Sequence, residues 1–403
     1  MKTENLSRLN LFSSNRAGWR FAVLHFLTFA SLAVFGIYGS LYFKRRGVSN
    51  VQLGVLYTIP SWIGAFAPLL WGIASDALQR RRILHVIIYS ASAALCPLFW
   101  FWNGQSFILL CLLMAVFSVF FRVSVPLVDA WTLDHIAQGK GDYGRIRSWG
   151  SVGYIAPLIA SVFVLRHSST GDVRALLPVF YGVCGFCLIA AVYSLTLPDY
   201  CPAGRGKLEW SSLSVYLRPF ALVFFLCAFI RSVVSAPYYT FFSIYLDEQG
   251  IPDNFKGVFS VVAVGAEIAV IAESGRLLRW IGAVPMLLAG IAAMTVRMFA
   301  LSLEPTWPIL LVVQTLHALS FGAYHVASIE IIRRITPEPF RATGQTFMGG
   351  LFGFGGIIGG VLGGLGAEVY GLPGLYRLLS FGGVVTFVLA AIGFAVWREG
   401  GRD

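Results

Sequence analysis

Long apolar stretches alternate with short polar breaks along almost the whole chain. A helix needs roughly 20 apolar residues to cross about 30 Å of hydrocarbon, and the stretches here reach that length. They lack the every-second-residue alternation of a barrel strand, so they predict transmembrane helices rather than a closed β-barrel. Twelve predicted spans lie near residues 19–43, 51–74, 83–102, 106–134, 148–165, 175–197, 217–246, 255–275, 281–303, 307–332, 343–369 and 375–397.

The longest polar break between spans, residues 198–216, divides the twelve stretches into two sets of six. We therefore predict an all-α membrane protein with twelve transmembrane helices in two six-helix bundles. Its expected parts are a cytoplasmic tail (1–18), an N-terminal bundle (19–197), a cytoplasmic linker (198–216), a C-terminal bundle (217–397) and a second cytoplasmic tail (398–403). Two such bundles around a central cavity are typical of a transporter.

Composition and charge agree with a membrane protein. The chain has 403 residues and is 12% charged, whereas a soluble domain carries about 25% charged residues. If the N-terminus is cytoplasmic, 20 of the 30 lysines and arginines fall on the cytoplasmic side. The positive-inside rule thus predicts a multi-pass protein of the bacterial inner membrane with both termini inside. This bias explains the net charge of +11 without nucleic-acid binding. One loop disagrees, because Lys44, Arg45 and Arg46 fall outside.

A short charged turn follows the second span. Gly72, Asp76, Arg80 and Arg81 form a G-x-x-x-D-x-x-x-R-R pattern there. An acid and a basic cluster between helix ends can pair and separate as two bundles rock, so Asp76, Arg80 and Arg81 are predicted to form a conformational gate. Residues 272–279 carry a degraded copy in the second half, which indicates an internal repeat.

This turn, the twelve spans and the six-plus-six division resemble the major facilitator superfamily over nearly the whole chain. Further segments resemble lactose permease and the phenylpropionate permeases, in the same order along the chain. These segments are residues 126–130, 142–147, 150–154, 265–267, 296–297 and 316–317. In the second half, residues 237–239 and the spacing from His317 to His325 are closer to the phenylpropionate branch.

The resemblance assigns substrate contacts to the first half. Asp129 matches a carboxylate that, in lactose permease, pairs with an arginine at the position of Arg147 and contacts the sugar. Tyr154 matches an aromatic residue that stacks on the ligand. Arg122, seven residues before Asp129, is expected on the same helix face. The alternatives are a purely structural ion pair for Asp129 and Arg147, and packing for Tyr154.

In the second half the resemblance implies a proton-coupling cluster of Glu267, Arg297 and His317, with His325 nearby. Lactose permease also has a carboxylate three residues after the histidine, where this chain has Ser320. Three alternatives remain for the proton carrier. Glu267 or Asp129 takes over the role of the missing carboxylate, or His317 itself titrates, or the coupling mechanism differs. The alternatives are a static salt bridge between Glu267 and Arg297, and hydrogen-bonded interior histidines.

Intramembrane charge points to the kind of substrate, since charged side chains within spans are costly and mark function. Arg231, together with Arg122 and Arg297, could make the cavity positive and favour an anion. Arg231 could equally pair with a helix end or with Glu267. Tyr238 and Tyr239 follow a proline that loosens the seventh span, and we predict that both line the same cavity.

The eleventh span holds eleven glycines between Gly344 and Gly366. They form two stripes of four-residue spacing, residues 355, 359 and 363 and residues 356, 360 and 364. Such spacing lets helix backbones approach closely. The stripes therefore predict either a sliding surface between moving helices or dense static packing.

We predict a monomeric secondary transporter that moves a small organic solute by alternating access, with proton symport of an aromatic or other organic acid. A sugar or nucleoside symporter and an exporter are alternatives, as is a membrane sensor that has lost transport. No enzyme activity, cofactor or metal is expected, and the sequence carries no phosphate-binding loop for ATP.

Overall fold

The computed structural model describes residues 16–78, 80–104, 106–137, 142–166, 171–199, 215–337 and 341–396. Within these ranges the side chains of residues 16–17, 65, 68–69, 72–73, 75–78 and 341–343 lie outside the description. Most of the described residues are in helices, and no strand occurs among them.

The described part of the N-terminal half contains eight helices, some of which join end to end. They are α1 (Arg16–Arg45), α2 (Asn50–Leu78), α3 (Arg81–Leu95), α4 (Leu98–Phe101), α5 (Phe107–Phe121), α6 (Ser124–Ile136), α7 (Tyr143–Val164) and α8 (Leu177–Ser194), the last preceded by a 3₁₀ turn at Val173–Leu176.

The C-terminal half contains α9 (Pro219–Glu248), α10 (Asp253–Ala272), α11 (Ser274–Ile281), α12 (Ala283–Leu301), α13 (Trp307–Thr315), α14 (Tyr324–Ile335) and α15 (Arg341–Val396). A π-helical segment, Ala318–Ala323, joins α13 to α14. Inside α15, Gly371 has a φ of 67°, which kinks the chain between the two spans predicted there.

The all-helical membrane fold predicted from the sequence is confirmed. Within the described part of the chain, nine helical segments are long and apolar enough to cross a bilayer, and one of them, Gly344–Val396, covers two predicted spans. Neither α2 nor α7 is among the nine. The count of twelve transmembrane helices therefore stays a prediction, as do the domain boundaries.

The predicted fourth span is interrupted at Arg122 and Val123, between α5 and α6. Pro126 explains the break, because proline has no N–H to donate to the carbonyl of Arg122 one turn earlier. Ser124 reinforces the turn by donating its hydroxyl to Phe121 O at 2.8 Å. The sequence interpretation, which treated residues 106–134 as one regular helix, missed this break.

Glycines on α15 bring three helices into close contact. A Cβ at Gly355 would lie 2.6 Å from Ser232 Cβ of α9, whereas a Cβ at Gly360 would lie 2.8 Å from Thr58 Cγ2 of α2. The first stripe (355, 359 and 363) thus packs within the C-terminal half. The second stripe (356, 360 and 364) packs across to the N-terminal half.

Candidate functional site

A cavity of about 370 Å³ lies between the two halves. Its charged side chains are two arginines, Arg122 from the first half and Arg297 from the second, and His317 also lines it. The described lining includes no aspartate or glutamate. Among the described lining residues, eight more are aromatic: Phe35, Tyr57, Phe117, Phe121, Tyr154, Tyr238, Tyr239 and Phe242.

Arg122 stands at the break between α5 and α6 and is exposed to the cavity. Within the described residues its guanidinium has neither a hydrogen-bond acceptor nor an ion-pair partner. A guanidinium presents five N–H donors in a planar fork suited to a carboxylate. The sequence predicted Arg122 as a substrate-binding residue, and the structure places it where a ligand can reach it.

Arg297 belongs to a connected polar cluster on α9, α10, α12 and the α13–α14 region. It donates to His317 Nδ1 at 3.0 Å, to the Tyr238 hydroxyl at 2.5 Å and to Gln314 Oε1. His317 Nε2 faces Glu267 Oε2 at 3.3 Å. This brings together Glu267, Arg297 and His317, as the family resemblance implies. Gln314, which is fully buried, was missed.

Arg231 is turned away from the cavity toward the backbone of the π-helical segment. It donates to Ser320 O at 2.5 Å and lies 3.7 Å above the Tyr324 ring. A π segment interrupts the regular helical hydrogen-bond ladder, so a cation on its carbonyl stabilises the irregularity. Within the described residues Arg231 thus contacts the segment that joins α13 to α14, and not Glu267. Its assignment to the substrate site stays a prediction.

His317 and His325 do not face each other. Phe321 lies between them, stacked on His317 with a centroid distance of 5.2 Å and on His325 with 5.6 Å. His325 is exposed and does not line the cavity described above.

The first half carries a second polar cluster beside the cavity, on α1, α6 and α7. Arg147 Nε lies 3.4 Å from Asp129 Oδ1, and its guanidinium covers the Phe29 ring at 4.1 Å. Gly150 permits this approach, because a Cβ there would lie 2.8 Å from the Arg147 guanidinium. The predicted pair of Asp129 and Arg147 therefore forms, although neither lines the cavity that Tyr154 lines.

His25 of α1 also belongs to this second cluster and was missed by sequence reasoning. Its Nδ1 lies 3.9 Å from Asp129 Oδ1, and its Nε2 lies 3.0 Å from Thr132 Oγ1. The only signal in the sequence was a lone histidine within an apolar span.

One end of the cavity is sealed by charged residues where α1 gives way to α2; we call this the Arg45 end. Arg45 contacts Asp247 and Asp253 of the other half, and Lys256 donates to the same two carboxylates. Tyr38 of α1 adds a hydrogen bond to Asp253 O at 3.1 Å. The loop that breaks the positive-inside pattern thus supplies the closure.

At the end opposite the Arg45 end, the interface between the two halves is less tightly packed; we call this the looser end. Trp62 of α2 meets Phe354 of α15 with a centroid distance of 5.8 Å. Beyond this pair, Leu70 is 66% exposed. A Cβ at Gly349 or Gly350 would have no neighbour within 4 Å. Within the described residues, packing between the two halves is therefore sparser toward this end.

The predicted conformational gate lies at this looser end. Arg81 donates to Asp134 of its own half at 2.8 Å, and Arg80 is exposed. The Asp76 side chain lies outside the described residues. The pairing of Asp76 with the basic cluster therefore stays a prediction.

Two helical halves around a cavity closed at one end agree with the comparison of the sequence with known families. The model of the MFS_1 like family matches residues 18–378. The chain belongs to this family. Its curated relatives include the probable 3-phenylpropionic acid transporter of Escherichia coli (strain K12), which is 28% identical over 77% of this chain and 81% of that protein. Maltose permease of Geobacillus stearothermophilus is 25% identical over 80% of each chain.

Solved structures agree on the fold of this MFS_1 like protein. The nucleoside transporter NupG has a TM-score of 0.79 at 16% identity, covering 96% of this chain and 100% of that one. A bacterial homologue of the lysosomal transporter Spinster, inward-facing and occupied, has a TM-score of 0.65 at 17% identity, with 95% and 96% covered. The fold is thus the major facilitator fold, and the protein is a multi-pass membrane transporter.

Proposed function

We propose that this protein imports a small aromatic carboxylate together with a proton, by alternating access between its two halves. The observation that carries the proposal is Arg122, an arginine without a described partner on the wall of an aromatic cavity. A charge held within a membrane protein costs about 2.5–3.5 kcal/mol on insertion scales, so an uncompensated one indicates a functional contact. A substrate carboxylate would supply the missing partner through charge-assisted hydrogen bonds.

The chemistry of the cavity supports an aromatic acid. Two arginines and no acid among the described lining residues make the wall electropositive. The aromatic rings offer flat apolar surfaces on which a phenyl group can stack. The relative named as a probable 3-phenylpropionic acid transporter supports the same substrate class.

A sugar or nucleoside is the second candidate, supported by the relatives named as maltose permease and putative nucleoside transporter. In lactose permease the carboxylate matching Asp129 contacts the sugar. Here Asp129 pairs with Arg147, and both side chains lie off the described cavity wall. This favours the carboxylate over the sugar.

The positive-inside rule places both termini in the cytoplasm, and the Arg45 end therefore faces outside. In this orientation the described state is closed to the exterior and opens toward the cytoplasm. Proton coupling is supported by two carboxylates within the bundle, Asp129 and Glu267. Each lies beside a histidine, and groups of this kind can take up and release a proton as their surroundings change.

Uptake into proteoliposomes tests the proposal. We expect labelled 3-phenylpropionate to accumulate when the exterior is acidic, and 3-phenylpropanol, maltose and uridine not to compete. Arg122→Gln should lower the apparent affinity for the carboxylate by about tenfold or more, since a hydrogen bond to a charged group contributes about 1.5–3 kcal/mol. Arg174→Gln, at an exposed loop arginine, is the control. Competition by maltose, or unchanged affinity in Arg122→Gln, would contradict the proposal.

A further inference from the structure

The hydrogen positions at His25 follow from its neighbours. Thr132 donates its one hydroxyl hydrogen to Val128 O at 2.7 Å. Thr132 Oγ1 therefore accepts from His25 Nε2, which lies 3.0 Å away. A neutral imidazole carries a hydrogen on one nitrogen only. Since Nε2 holds it, His25 Nδ1 is a bare acceptor.

This bare nitrogen faces another acceptor. His25 Nδ1 lies 3.9 Å from Asp129 Oδ1, which is too far for a hydrogen bond. Both atoms are buried, and within the described residues neither has a hydrogen-bond partner. Oδ1 has only the ion pair with Arg147 at 3.4 Å. Two buried acceptors facing each other are unfavourable unless a proton joins them.

The corresponding histidine of the second half is already satisfied. A guanidinium can only donate, so the contact with Arg297 at 3.0 Å makes His317 Nδ1 an acceptor. His317 Nε2 therefore carries the hydrogen, and it faces Glu267 Oε2 at 3.3 Å. No atom of this imidazole requires a further proton. The two histidines thus differ at Nδ1: that of His317 accepts from Arg297, whereas that of His25 faces a second acceptor, Asp129 Oδ1.

We propose that the transported proton binds between His25 Nδ1 and Asp129 Oδ1. This site deepens the proposed function, on which its role in coupling rests. On binding, the proton completes an N–H···O contact while Nε2–H remains on Thr132. Charge-assisted bonds of this type measure about 2.7–2.9 Å, so the gap would close by about 1 Å.

The position of the pair suits a proton that must enter and leave. His25 is fully buried, whereas the Asp129 side chain is 25% exposed although its Oδ1 is buried, so the proton would enter and leave through Asp129 rather than through His25. Protonated His25 would compete with Arg147 for Asp129. The charge of the His25, Asp129 and Arg147 set would then rise from zero to plus one.

One continuous helix connects the proton site to the rest of the transport machinery. α1 carries His25, then cavity-lining residues including Leu32 and Phe35, and finally Arg45 at the sealed end. A movement of α1 against α6 at His25 would therefore also displace α1 at the substrate cavity and at the Arg45 end.

Other titratable groups near the pair are few. α9 and α2 also pack on α1, where Asp247 meets Arg45 and Tyr57 lies beside Gly39, both far along α1 from His25. Tyr143 and Arg147 of α7 and Tyr89 of α3 interact with Asp129. α8 brings Cys187 to Ser31 and Tyr193 to Arg20, on either side of His25. α6 adds His135, stacked on Phe21. α10 meets α1 at Tyr38 and Arg45.

The test separates substrate exchange from proton-driven accumulation in proteoliposomes. With one proton per substrate, a pH difference of one unit drives about tenfold accumulation. His25→Gln should keep 3-phenylpropionate counterflow within about twofold and lose this accumulation. His85→Gln is the matched control, because His85 is equally buried in the same half but bonds Arg81 O on α3. Accumulation that persists in His25→Gln would overturn the proposal.

A second variant keeps the proposal testable if His25→Gln does not fold. Thr132→Val removes the acceptor for Nε2–H, so the neutral ring can place its hydrogen on Nδ1 and donate to Asp129. This stabilises the unprotonated pair. The pH midpoint of uptake should move about one unit toward acid. An unchanged midpoint would count against the site.

A readout without substrate distinguishes failure of the site from failure of the proposed function. The proposal requires the folded pair to hold the proton more tightly than a histidine of the unfolded chain does. The thermal stability of the detergent-solubilised protein should therefore rise as the pH falls through the midpoint, in the wild type and in His85→Gln but not in His25→Gln. If the wild type transports no carboxylate but its thermal stability rises in this way, the proton site is supported and the proposed substrate is wrong. The same rise of thermal stability in His25→Gln would overturn the proposed proton site.

Discussion

Arg45 of α1 and Asp253 of α10 form a two-point ion pair across the two halves, with Nη1 to Oδ2 at 2.8 Å and Nη2 to Oδ1 at 2.7 Å. Asp247 accepts from the same guanidinium at 2.6 Å, and Lys256 joins both carboxylates. Two positive and two negative groups thus balance. Because Asp253 and Lys256 belong to the same half, separating the halves removes only the arginine from this set.

Arg45→Gln should shift the protein toward a state open at the Arg45 end. Removing one partner of a buried ion pair costs about 3–5 kcal/mol, which corresponds to about a hundredfold or more in an equilibrium constant. A cysteine at Gly36, where a Cβ has no neighbour within 4 Å, reports on the cavity. We expect an impermeant maleimide added outside cells to label Gly36→Cys faster in the Arg45→Gln background.

Arg46→Gln provides the matched control for this prediction. Arg46 donates to the Tyr42 hydroxyl at 3.1 Å and to Trp100 O at 3.2 Å, both in its own half. It carries the same charge at the next position, so its loss should leave the labelling rate unchanged. Equal effects of Arg45→Gln and Arg46→Gln would mean that surface charge, and not the ion pair across the halves, sets the equilibrium.

Adjacent glycines of α15 should have different roles. A Cβ at Gly360 would press on Thr58 Cγ2 of α2 at 2.8 Å, whereas one at Gly359 would clash with Val233 O of α9 and also meet Ala236 Cβ at 3.0 Å. Overpacking costs about 1–3 kcal/mol. Gly360→Ala should therefore favour the state open at the Arg45 end, measured by Gly36→Cys labelling. Gly359→Ala should instead lower the melting temperature. Gly350→Ala, with no neighbour within 4 Å, should do neither.

Gln314→Leu should weaken carboxylate binding without abolishing it. Gln314 Oε1 accepts from both Arg297 and the Tyr238 hydroxyl, and so holds the guanidinium in the cavity wall. We expect KM for the substrate to rise severalfold with kcat less affected. Thr315→Val is the control, because Thr315 is exposed and bonds the backbone of its own helix. An unchanged KM in Gln314→Leu would mean that Arg297 does not contribute to substrate binding.

The features that could be predicted from sequence have local signals. Helices follow from continuous apolar runs, and the two glycine stripes follow from their four-residue spacing. Which stripe faces which half could not be predicted, since that depends on how α2 and α9 flank α15. The pairing of Asp129 with Arg147 was predicted only through family resemblance.

The features that were missed join distant parts of the chain. Arg45 and Asp253 are 208 residues apart, and His25 and Thr132 are 107 apart. Hydrophobic periodicity contains no information on such pairs. The break at Arg122 is different, because Pro126 was visible in the sequence. Reading it as a helix break would have cast doubt on the shared face assigned to Arg122 and Asp129.

Arg231 and Arg122 were both predicted from the sequence to bind an anionic substrate, but their substitutions should have different effects. Arg231 donates to Ser320 O and covers the Tyr324 ring, so Arg231→Gln removes a charged hydrogen bond that contributes about 1.5–3 kcal/mol. We expect a lower melting temperature, with the preference for carboxylate over neutral ligands retained. Arg122→Gln should show the reverse pattern. Arg218→Gln, at the exposed start of α9, controls for lost charge. If Arg231→Gln instead abolished the preference for carboxylates at unchanged stability, Arg231 would belong to the substrate site.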